Sequence, residues 1–306
     1  MIIDKLIEKI IKTRNPSVVG IDTAFSYLPE EKKRGVVTNA EAGKKIFEFN
    51  KEIIDAVYDL VPAVKVQVAY YEAYGTDGMA AFRDTINYSK SKRLLTIADV
   101  KRNDIGATSA AYSRAYLGVN DLGIEGEFAS DFITINGYLG TDGIKPFTED
   151  CKAYGRGAFV LVRTSNPSSA EIQNVKTEKG QLIYEMMGEL VKEWGTNLIG
   201  KYGYSSLGAV VGATHREEAD NLRRQLKSVF FLVPGYGAQG GKAEDLEVCF
   251  DNDGLGAIVN SSRGIICAYQ KKGGKSAGEA AREAVIAMRE DILSALKNKG
   301  KTKWLN

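Results

Sequence analysis

The sequence predicts an α/β protein whose single domain is a (β/α)8 TIM barrel. Three observations lead to this fold: a length of 306 residues, eight short apolar segments rich in β-branched residues, and amphipathic stretches between them. Near-continuous apolarity is typical of strands buried on both faces, as in parallel sheets, and the amphipathic stretches are long enough for helical crossovers. An open doubly wound sheet would give a similar pattern, but eight strands in about 300 residues favour the barrel.

The predicted strands are short apolar runs such as AVKVQ and FITIN. They cover residues 17–22, 63–67, 94–99, 132–136, 158–163, 208–213, 229–234 and 256–262. Amphipathic stretches predict helices over residues 40–60, 77–92, 178–199, 215–227 and 276–297. No Pro- or Ser-rich linker divides residues 1–306, so we expect one domain.

The two ends of the chain and two of its loops have patterns of their own. The N-terminal segment MIIDKLIEKIIKTRN repeats Ile and Leu at helical spacing, which predicts an amphipathic helix. We expect the tail at 297–306 to be a frayed, solvated helix end. The loops at 23–39 and 164–177 are long for compact connections, and long loops in a barrel tend to be functional lids.

Composition and charge exclude several classes of function. A formal net charge of +2 gives no global field that would collect nucleic acid or an acidic membrane. No stretch approaches the roughly 18 apolar residues that a membrane span requires, and the N-terminal segment lacks the apolar core of a signal peptide. We therefore expect a cytoplasmic protein without nucleic-acid or membrane partners.

Cysteine and histidine usage argues against metal sites and disulfides. Cys151, Cys249 and Cys267 are an odd number at wide spacing, which suits a reducing compartment and neither a disulfide framework nor a zinc knuckle. The single histidine, His215, cannot build a His-rich metal site, and no nucleophile-elbow sequence accompanies it for a Ser-His-Asp triad. We expect His215 at the start of a helix.

Charged residues recur at the predicted carboxyl ends of the first three strands, where a barrel places its active site. Asp22 ends the first strand, Lys65 lies inside the second, and Asp99 ends the third with Lys101 just beyond it. A buried, unpaired ammonium is unfavourable by several kcal/mol, so Lys65 needs acidic neighbours. Adjacent strands lie about 5 Å apart, which puts Asp22 and Asp99 within its reach.

The segment ADVKRNDIGAT, residues 98–108, allows more than one interpretation. Asp99 and Lys101 are two residues apart, so their side chains leave an extended segment on the same face. Asp104 follows at the head of the next helix, where capping of backbone N–H groups alone would explain it. The alternatives to a catalytic cluster are a solvated surface turn and a structural salt bridge at Lys65.

Two further segments suggest ligand contacts. The glycine-rich stretch VPGYGAQGGK, residues 233–242, follows the seventh strand and can turn backbone N–H groups toward an anion. Arg263, in NSSRG after the eighth strand, can bind phosphate oxygens, and barrels often bind phosphate at these two loops. The stretch RTSNPSS after the fifth strand offers hydroxyl and amide groups to a polar ring, or is simply a turn.

These spaced motifs resemble the signature of the orotidine 5'-phosphate decarboxylase family. The pattern D-x-K-x-x-D-I-x-x-T is formed by Asp99, Lys101, Asp104, Ile105 and Thr108. The similarity extends over most of the chain, through residues in the expected order after strands one, two, five, seven and eight. These are Asp22, Lys65, Ser165, the stretch PGYGAQGG and Arg263. The length and the extended first loop resemble the longer bacterial form of the family.

The resemblance implies a role for each matching residue. Lys65, Asp99, Lys101 and Asp104 would form an alternating Lys-Asp-Lys-Asp catalytic array in a homodimer, with Asp104 supplied by the partner subunit. Asp22 and Thr108 would contact ribose hydroxyls, Thr108 across the dimer, and Ser165 would meet the pyrimidine edge. The phosphate and the rest of the nucleotide would be bound by Gln239, Arg263, Ile105, Pro234 and Gly240. TSNPSS offers several hydroxyls, so Ser165 is chosen by its place before Asn-Pro, and Tyr236 is left unassigned.

The reaction implied by the resemblance is decarboxylation of orotidine 5'-phosphate to UMP without a metal or cofactor. Loss of CO2 from a pyrimidine ring leaves a carbanion that needs nearby positive charge and a proton. Lys101, kept as an ammonium by Asp99 and Asp104, can supply both. Phosphate binding far from the reacting carbon would supply the energy that closes loops 164–177 and 234–241.

Three other functions are compatible with the same residues. A magnesium-dependent sugar-phosphate decarboxylase of the same superfamily, keto-gulonate 6-phosphate decarboxylase, shares the D-x-K-x-x-D element. A Schiff-base aldolase could use a desolvated Lys65 as its nucleophile. A barrel that only binds a nucleotide or serves as a scaffold would use the charges structurally.

Overall fold

The computed structural model describes residues 1–212, 214–237, 241–271 and 274–305. Within these residues, eight parallel strands close into a barrel in chain order, with β8 pairing back onto β1. The strands are β1 Ser17–Ile21, β2 Ala63–Gln67, β3 Leu95–Arg102, β4 Phe132–Ile135, β5 Gly157–Arg163, β6 Ser205–Val211, β7 Val229–Val233 and β8 Ala257–Ser261. The predicted (β/α)8 barrel is therefore confirmed, and the open doubly wound sheet is excluded.

The strand boundaries differ most from the prediction in β3 and β6. β3 continues past Asp99 to Arg102, because the strand bulges and resumes its pairing with β4 beyond the bulge. β6 begins at Ser205, three residues before the predicted start at 208, and ends at Val211. The predicted last residue of that strand, Ala213, lies outside the described residues.

Helices alternate with the strands and cover the outside of the barrel. They are α1 Ile2–Thr13, α2 Glu30–Lys33, α3 Asn39–Val57, α4 Ala69–Glu72, α5 Gly75–Ser91, α6 Gly106–Tyr116, α7 Thr141–Tyr154, α8 Ala170–Gln173, α9 Ile183–Trp194, α10 Arg216–Gln225, α11 Ala243–Leu246, α12 Arg263–Ile266 and α13 Ala277–Asn298. α3, α5, α10 and α13 match predicted helices to within three residues at either end. None of the described helices is both long and apolar enough to cross a membrane.

The predicted helix over 178–199 is wrong in its first five and last five residues. The backbone pairs Lys176 with Leu182 in an antiparallel bridge, and Gly180 turns between them with a φ of 80°. Such a φ belongs to the left-handed region, which glycine adopts without steric penalty. α9 therefore begins only at Ile183 and ends at Trp194.

The C-terminal tail is not a frayed helix end. α13 ends at Asn298, and the chain then folds back so that the Lys301 Nζ donates to the carbonyl oxygens of Glu247 and Phe250 at 2.7 and 3.0 Å. Trp304 packs against the apolar cluster at the barrel's N-terminal end. These contacts of partly buried side chains outweigh the polar composition that suggested fraying.

Helix α1 closes the end of the barrel that faces away from the strand carboxyl ends. Its apolar side forms one buried cluster with alternate residues of the strands, which point to the same face because successive strand side chains alternate. The cluster contains Ile2, Ile3, Leu6, Ile7 and Ile10 together with Val18, Ala63, Leu95, Ile97, Phe132, Phe159, Phe230, Leu232 and Ile258. The apolar strand residues of the opposite set pack outward against the surrounding helices.

We expect Leu6→Ala to lower the free energy of unfolding by about 2–5 kcal/mol, because truncation of a buried leucine leaves a cavity. Leu6 is 0% exposed. Urea unfolding followed by circular dichroism measures the change, and Lys5→Ala on the exposed side of the same helix is the control. Equal unfolding midpoints for the two variants would contradict the packing of α1 against the barrel interior.

Candidate active site

A cavity of about 760 Å³ opens at the carboxyl ends of the strands. Its walls carry charged and neutral polar residues, and the part formed by Asp22, Lys65, Asp99 and Lys101 is its charged side. The charged residues are Asp22, Lys65, Asp99, Lys101 and Arg263. The other predicted site residues that line it are Ser165 and Pro234. The structure therefore brings together seven of the predicted residues in one cavity.

Asp99 occupies the centre of the charged side, and both of its carboxylate oxygens are fully used. Oδ1 accepts hydrogen bonds from the Lys101 Nζ at 2.6 Å and the Thr134 hydroxyl at 2.8 Å. Oδ2 accepts from the Lys65 Nζ at 2.7 Å and the Gln67 Nε2 at 2.9 Å. A carboxylate that is 6% exposed requires this kind of complete pairing.

Lys65 is held between two carboxylates from the flanking strands. Its Nζ donates to Asp22 Oδ1 at 3.1 Å as well as to Asp99. Register places Gly20 of β1 beside Lys65, and Gln67 beside Asp99 of β3, so the charged side chains converge near the strand ends. Burial alone would lower the pKa of Lys65, but Asp22 and Asp99 raise it well above its ordinary value. Lys65 is therefore an ammonium at neutral pH.

The two lysines also control the protonation of Asp99. Burial alone would raise the pKa of this carboxyl group, but Lys65 and Lys101 outweigh burial and hold the pKa well below its ordinary value. Lys101 differs from Lys65 in its surroundings, because 47% of its side chain is exposed while its Nζ still contacts Asp99. The cavity thus contains one buried ammonium and one ammonium open to a ligand.

Asp104, Ile105 and Thr108 do not line the cavity of their own chain. Asp104 Oδ1 accepts from the backbone N–H of Ile105 at 2.8 Å. α6 begins at Gly106 with Ile105 as its N-cap residue, so Asp104 lies directly before the helix and binds a backbone N–H there, as the capping interpretation expects. Ile105 is 56% exposed and Thr108 is also exposed. Asp104 is partly buried.

The segments after β7 and β8 bound another part of the cavity. Pro234, Gly235 and Tyr236 line it from one side and Arg263, the first residue of α12, from the other. Gly235 and Gly237 have φ values of 104° and 73°, which only glycine adopts readily. The predicted ligand residues Gln239 and Gly240 lie outside the described residues.

The loop after β5 presents Thr164, Ser165 and Asn166 to the cavity. Arg163, which is 1% exposed, anchors this loop. Its Nε donates to Glu218 Oε2 of α10 at 2.6 Å, and its Nη1 donates to Gln173 Oε1 of α8 at 3.0 Å. The start of the loop is thereby held to α10, the helix after β6, and to α8.

Several cavity residues were missed by sequence reasoning. Gln67 is two residues from Lys65, so strand alternation could have placed it on the same face. The contacts of Thr134 with Asp99 and of Arg163 with Glu218 give no local sequence signal, because they join residues 35 and 55 positions apart. His215 is the N-cap residue of α10, as expected from its context.

The cysteines do not contribute to the cavity. Cys151 and Cys249 are buried, Cys267 is partly buried, and all three are free thiols. In the described parts of the chain, no group of three or more His, Cys, Asp or Glu side chains could hold a metal ion.

A closed parallel barrel with a charged cavity at its strand carboxyl ends defines an α/β-barrel enzyme. Comparison with known proteins gives the particular family. The chain belongs to the orotidine 5'-phosphate decarboxylase / HUMPS family, which it matches over residues 38–278.

Individual relatives are similar in sequence to this chain over almost its whole length. The chain is 45% identical to orotidine 5'-phosphate decarboxylase of Clostridium kluyveri, over 98% of this chain and 99% of that protein. It is also 45% identical to the enzyme of the same name from Clostridium tetani, over 98% and 100% of the two chains. A crystal structure from Toxoplasma gondii, assigned to orotidine monophosphate decarboxylase, superposes with a TM-score of 0.81 at 26% identity over 97% of both chains. These relatives identify the chain as a carboxy-lyase.

We expect Asp99→Asn to lower the free energy of unfolding at pH 7 by about 3–5 kcal/mol, because the buried Lys65 ammonium loses the buried one of its two counter-charges. The pKa of Asp99 in the folded chain lies below its ordinary value of 3.8. Its stabilising contribution is therefore complete above that pH and is lost as the pH falls through the folded-state pKa. The difference between wild type and variant should shrink below about pH 4.

Urea unfolding between pH 3 and 7 measures this dependence. Asp220→Asn is the matched control, because Asp220 makes an exposed ion pair with Arg224 at 2.9 Å. A wild-type-like unfolding free energy for Asp99→Asn at pH 7 would disprove the stabilising role of the buried pair.

Proposed function

We propose that the chain decarboxylates orotidine 5'-phosphate to UMP, the last step of de novo UMP synthesis, without a metal or cofactor. The relatives of the same length that carry this enzyme's name support the substrate and the reaction. The observation that carries the mechanism is the Asp99 carboxylate held between Lys65 and Lys101 at the cavity wall.

Lys101 is the proposed proton donor. When the bond between the ring carbon and the carboxylate breaks, CO2 leaves and the electron pair stays on the ring carbon. The Lys101 ammonium stabilises this negative charge and then transfers a proton from Nζ to the same carbon. Two observations support this role. The contact with Asp99 holds the Lys101 ammonium in place, and the partial exposure of the side chain leaves it accessible to a substrate.

Asp99 and Lys65 are proposed to fix the charge of the site. A substrate carboxylate next to Asp99 would experience like-charge repulsion that disappears with CO2, which favours the transition state over the bound substrate. Lys65 contributes by holding Asp99 ionised and oriented. A Schiff-base role for Lys65 needs a neutral amine, and its raised pKa and two carboxylate partners argue against that alternative.

The rest of the nucleotide would extend across the cavity. We assign the phosphate to Arg263 and the glycine-rich segment that contains Pro234, with Gln239 and Gly240 assigned from sequence alone. The pyrimidine edge is assigned to Ser165. The ribose is assigned to Asp22, whose Oδ1 already contacts the Lys65 Nζ. The described members of this set, Asp22, Ser165, Pro234 and Arg263, line one cavity.

We also propose a homodimer in which the partner subunit's Asp104 and the partner subunit's Thr108 complete each site. This arrangement is supported by the exposure of Ile105 at 56% and of the nearby apolar residues Tyr138 at 77% and Leu139 at 46%.

The near balance of charge and the three free cysteines support a cytoplasmic enzyme without nucleic-acid or membrane partners.

A magnesium-dependent sugar-phosphate decarboxylase is the main alternative. Such an enzyme needs strand-end carboxylate oxygens that are available to the ion. Both oxygens of Asp99 already accept hydrogen bonds from lysine and from neutral donors, so a cation would have to displace an ammonium. The chemistry of this donor set favours the metal-free reaction.

We expect the purified protein to convert orotidine 5'-phosphate to UMP at the same rate with and without EDTA. We expect Lys101→Ala to remain folded and to bind UMP, but to lose turnover by about 10⁴-fold or more, because the acid and the charge that stabilises the carbanion are both removed. Loss of substrate absorbance measures turnover. The control is Lys303→Ala, which removes an exposed lysine paired with Asp253. Near-normal turnover of Lys101→Ala would rule out the assigned role.

We expect Arg263→Ala to raise KM by on the order of 10–100-fold, because a charge-assisted contact to the phosphate is lost. Phosphite should also restore part of the wild-type activity toward a substrate that lacks the phosphate. Steady-state kinetics measure both effects, with Lys271→Ala as the control at a nearby exposed cation. Unchanged kinetics for Arg263→Ala would remove the phosphate assignment.

A further inference from the structure

The hydroxyl group of Thr134 contacts both the side chain of Asp99 and the backbone around Lys101. Thr134 lies on β4 and is 1% exposed. Its Oγ1 accepts hydrogen bonds from the backbone N–H of Val100 at 3.0 Å and of Lys101 at 3.1 Å. The same oxygen donates its proton to Asp99 Oδ1 at 2.8 Å. A single hydroxyl therefore makes three hydrogen bonds at the charged side of the cavity.

The backbone at Lys101 explains why a hydroxyl is needed there. The pairing of β3 with β4 shifts register between Ala98 and Arg102, and Lys101 has a φ of 45°. Residues in a bulge lose their regular ladder partners, and a lysine in the left-handed region is unfavourable unless its surroundings hold it. The Thr134 oxygen replaces the missing acceptor for two consecutive N–H groups.

The two accepted hydrogen bonds also fix the direction in which the hydroxyl donates. Because both backbone donors point at Oγ1, its only proton is left for Asp99. Asp99 is then oriented by four donors, with Oδ1 toward Lys101 and Thr134 and Oδ2 toward Lys65 and Gln67. The ammonium of Lys101 is aligned with Oδ1 by the backbone turn and by the oriented carboxylate together.

We propose that Thr134 is a positioning residue that sets the Lys101 ammonium and the Asp99 carboxylate in their reactive arrangement. This inference rests on the proposed function, because it assigns Lys101 as the proton donor. Thr134 acts through those two residues and does not itself exchange a proton with the substrate. Its hydroxyl is the required feature, since the methyl group contributes only packing.

The test compares Thr134→Val, which has nearly the same shape and no hydroxyl, with Thr134→Ser, which keeps the hydroxyl. We expect Thr134→Val to lower kcat for orotidine 5'-phosphate by about 10–100-fold, because misplacement of a reacting group by about 1 Å has an effect of this size. KM should change by less than about threefold, because the phosphate and ribose contacts remain. Thr134→Ser should keep kcat within about threefold of wild type.

Thr85→Val is the matched control for a loss of stability alone. Thr85 is a buried threonine of α5 whose hydroxyl donates to the Ala81 carbonyl at 2.7 Å and accepts from the Asn50 Nδ2 at 2.9 Å. It does not line the cavity. This variant should be less stable than wild type but should keep its kcat.

Hydrogen exchange at the backbone amides of Val100 and Lys101, measured by NMR, provides a readout that needs no turnover. Exchange should be faster in Thr134→Val than in wild type and unchanged in Thr134→Ser. If Thr134→Val does not fold, Thr134→Ala serves the same purpose with the same expectations.

Wild-type kcat or wild-type amide exchange in the hydroxyl-free variant would overturn the positioning role. Equal loss of kcat in Thr134→Val and Thr85→Val would also overturn it. An inactive wild-type protein would overturn the proposed function instead, and the amide exchange would still decide whether Thr134 holds the backbone at Lys101.

Discussion

The burial of one carboxylate constrains the whole charged side of the cavity. Asp99 is 6% exposed, and an anion in that position must be surrounded by donors. β2 supplies Lys65 and Gln67, β3 supplies Lys101, and β4 supplies Thr134. Asp22, directly after β1, is the second counter-charge of Lys65. Four adjacent strands therefore have to keep their mutual register for this single group to remain satisfied.

The molecule separates the packing that stabilises it from the charges that give it chemistry. The lower part of the barrel interior is an apolar cluster closed by α1, whereas the upper part is polar and opens to solvent. Because this lower layer and the larger apolar cluster between strands and helices are well packed, the upper layer can retain a left-handed lysine and a buried ion pair. Such features are unfavourable in isolation and persist only within a well-packed scaffold.

The sequence was sufficient for the parts of this arrangement that follow from regular geometry. Parallel register brings Asp22, Lys65 and Asp99 together, so their convergence could be predicted from strand position alone. The β3 bulge could not, because the shift depends on pairing with β4, which lies about 30 residues further along the chain. The role of Thr134 follows from that bulge and was missed with it. The Arg163–Glu218 contact also joins distant segments and gives no local pattern.

The position of the C-terminal tail has a consequence for protein engineering. Trp304 packs against the same cluster as α1, so the first and last described elements of the chain share the end of the barrel opposite the cavity. A peptide tag, a surface-immobilisation linker or a fused second enzyme attached near either element would project away from the substrate entrance. The same proximity makes a circular permutant feasible, with its new break placed in an exposed connection such as that around Gly180.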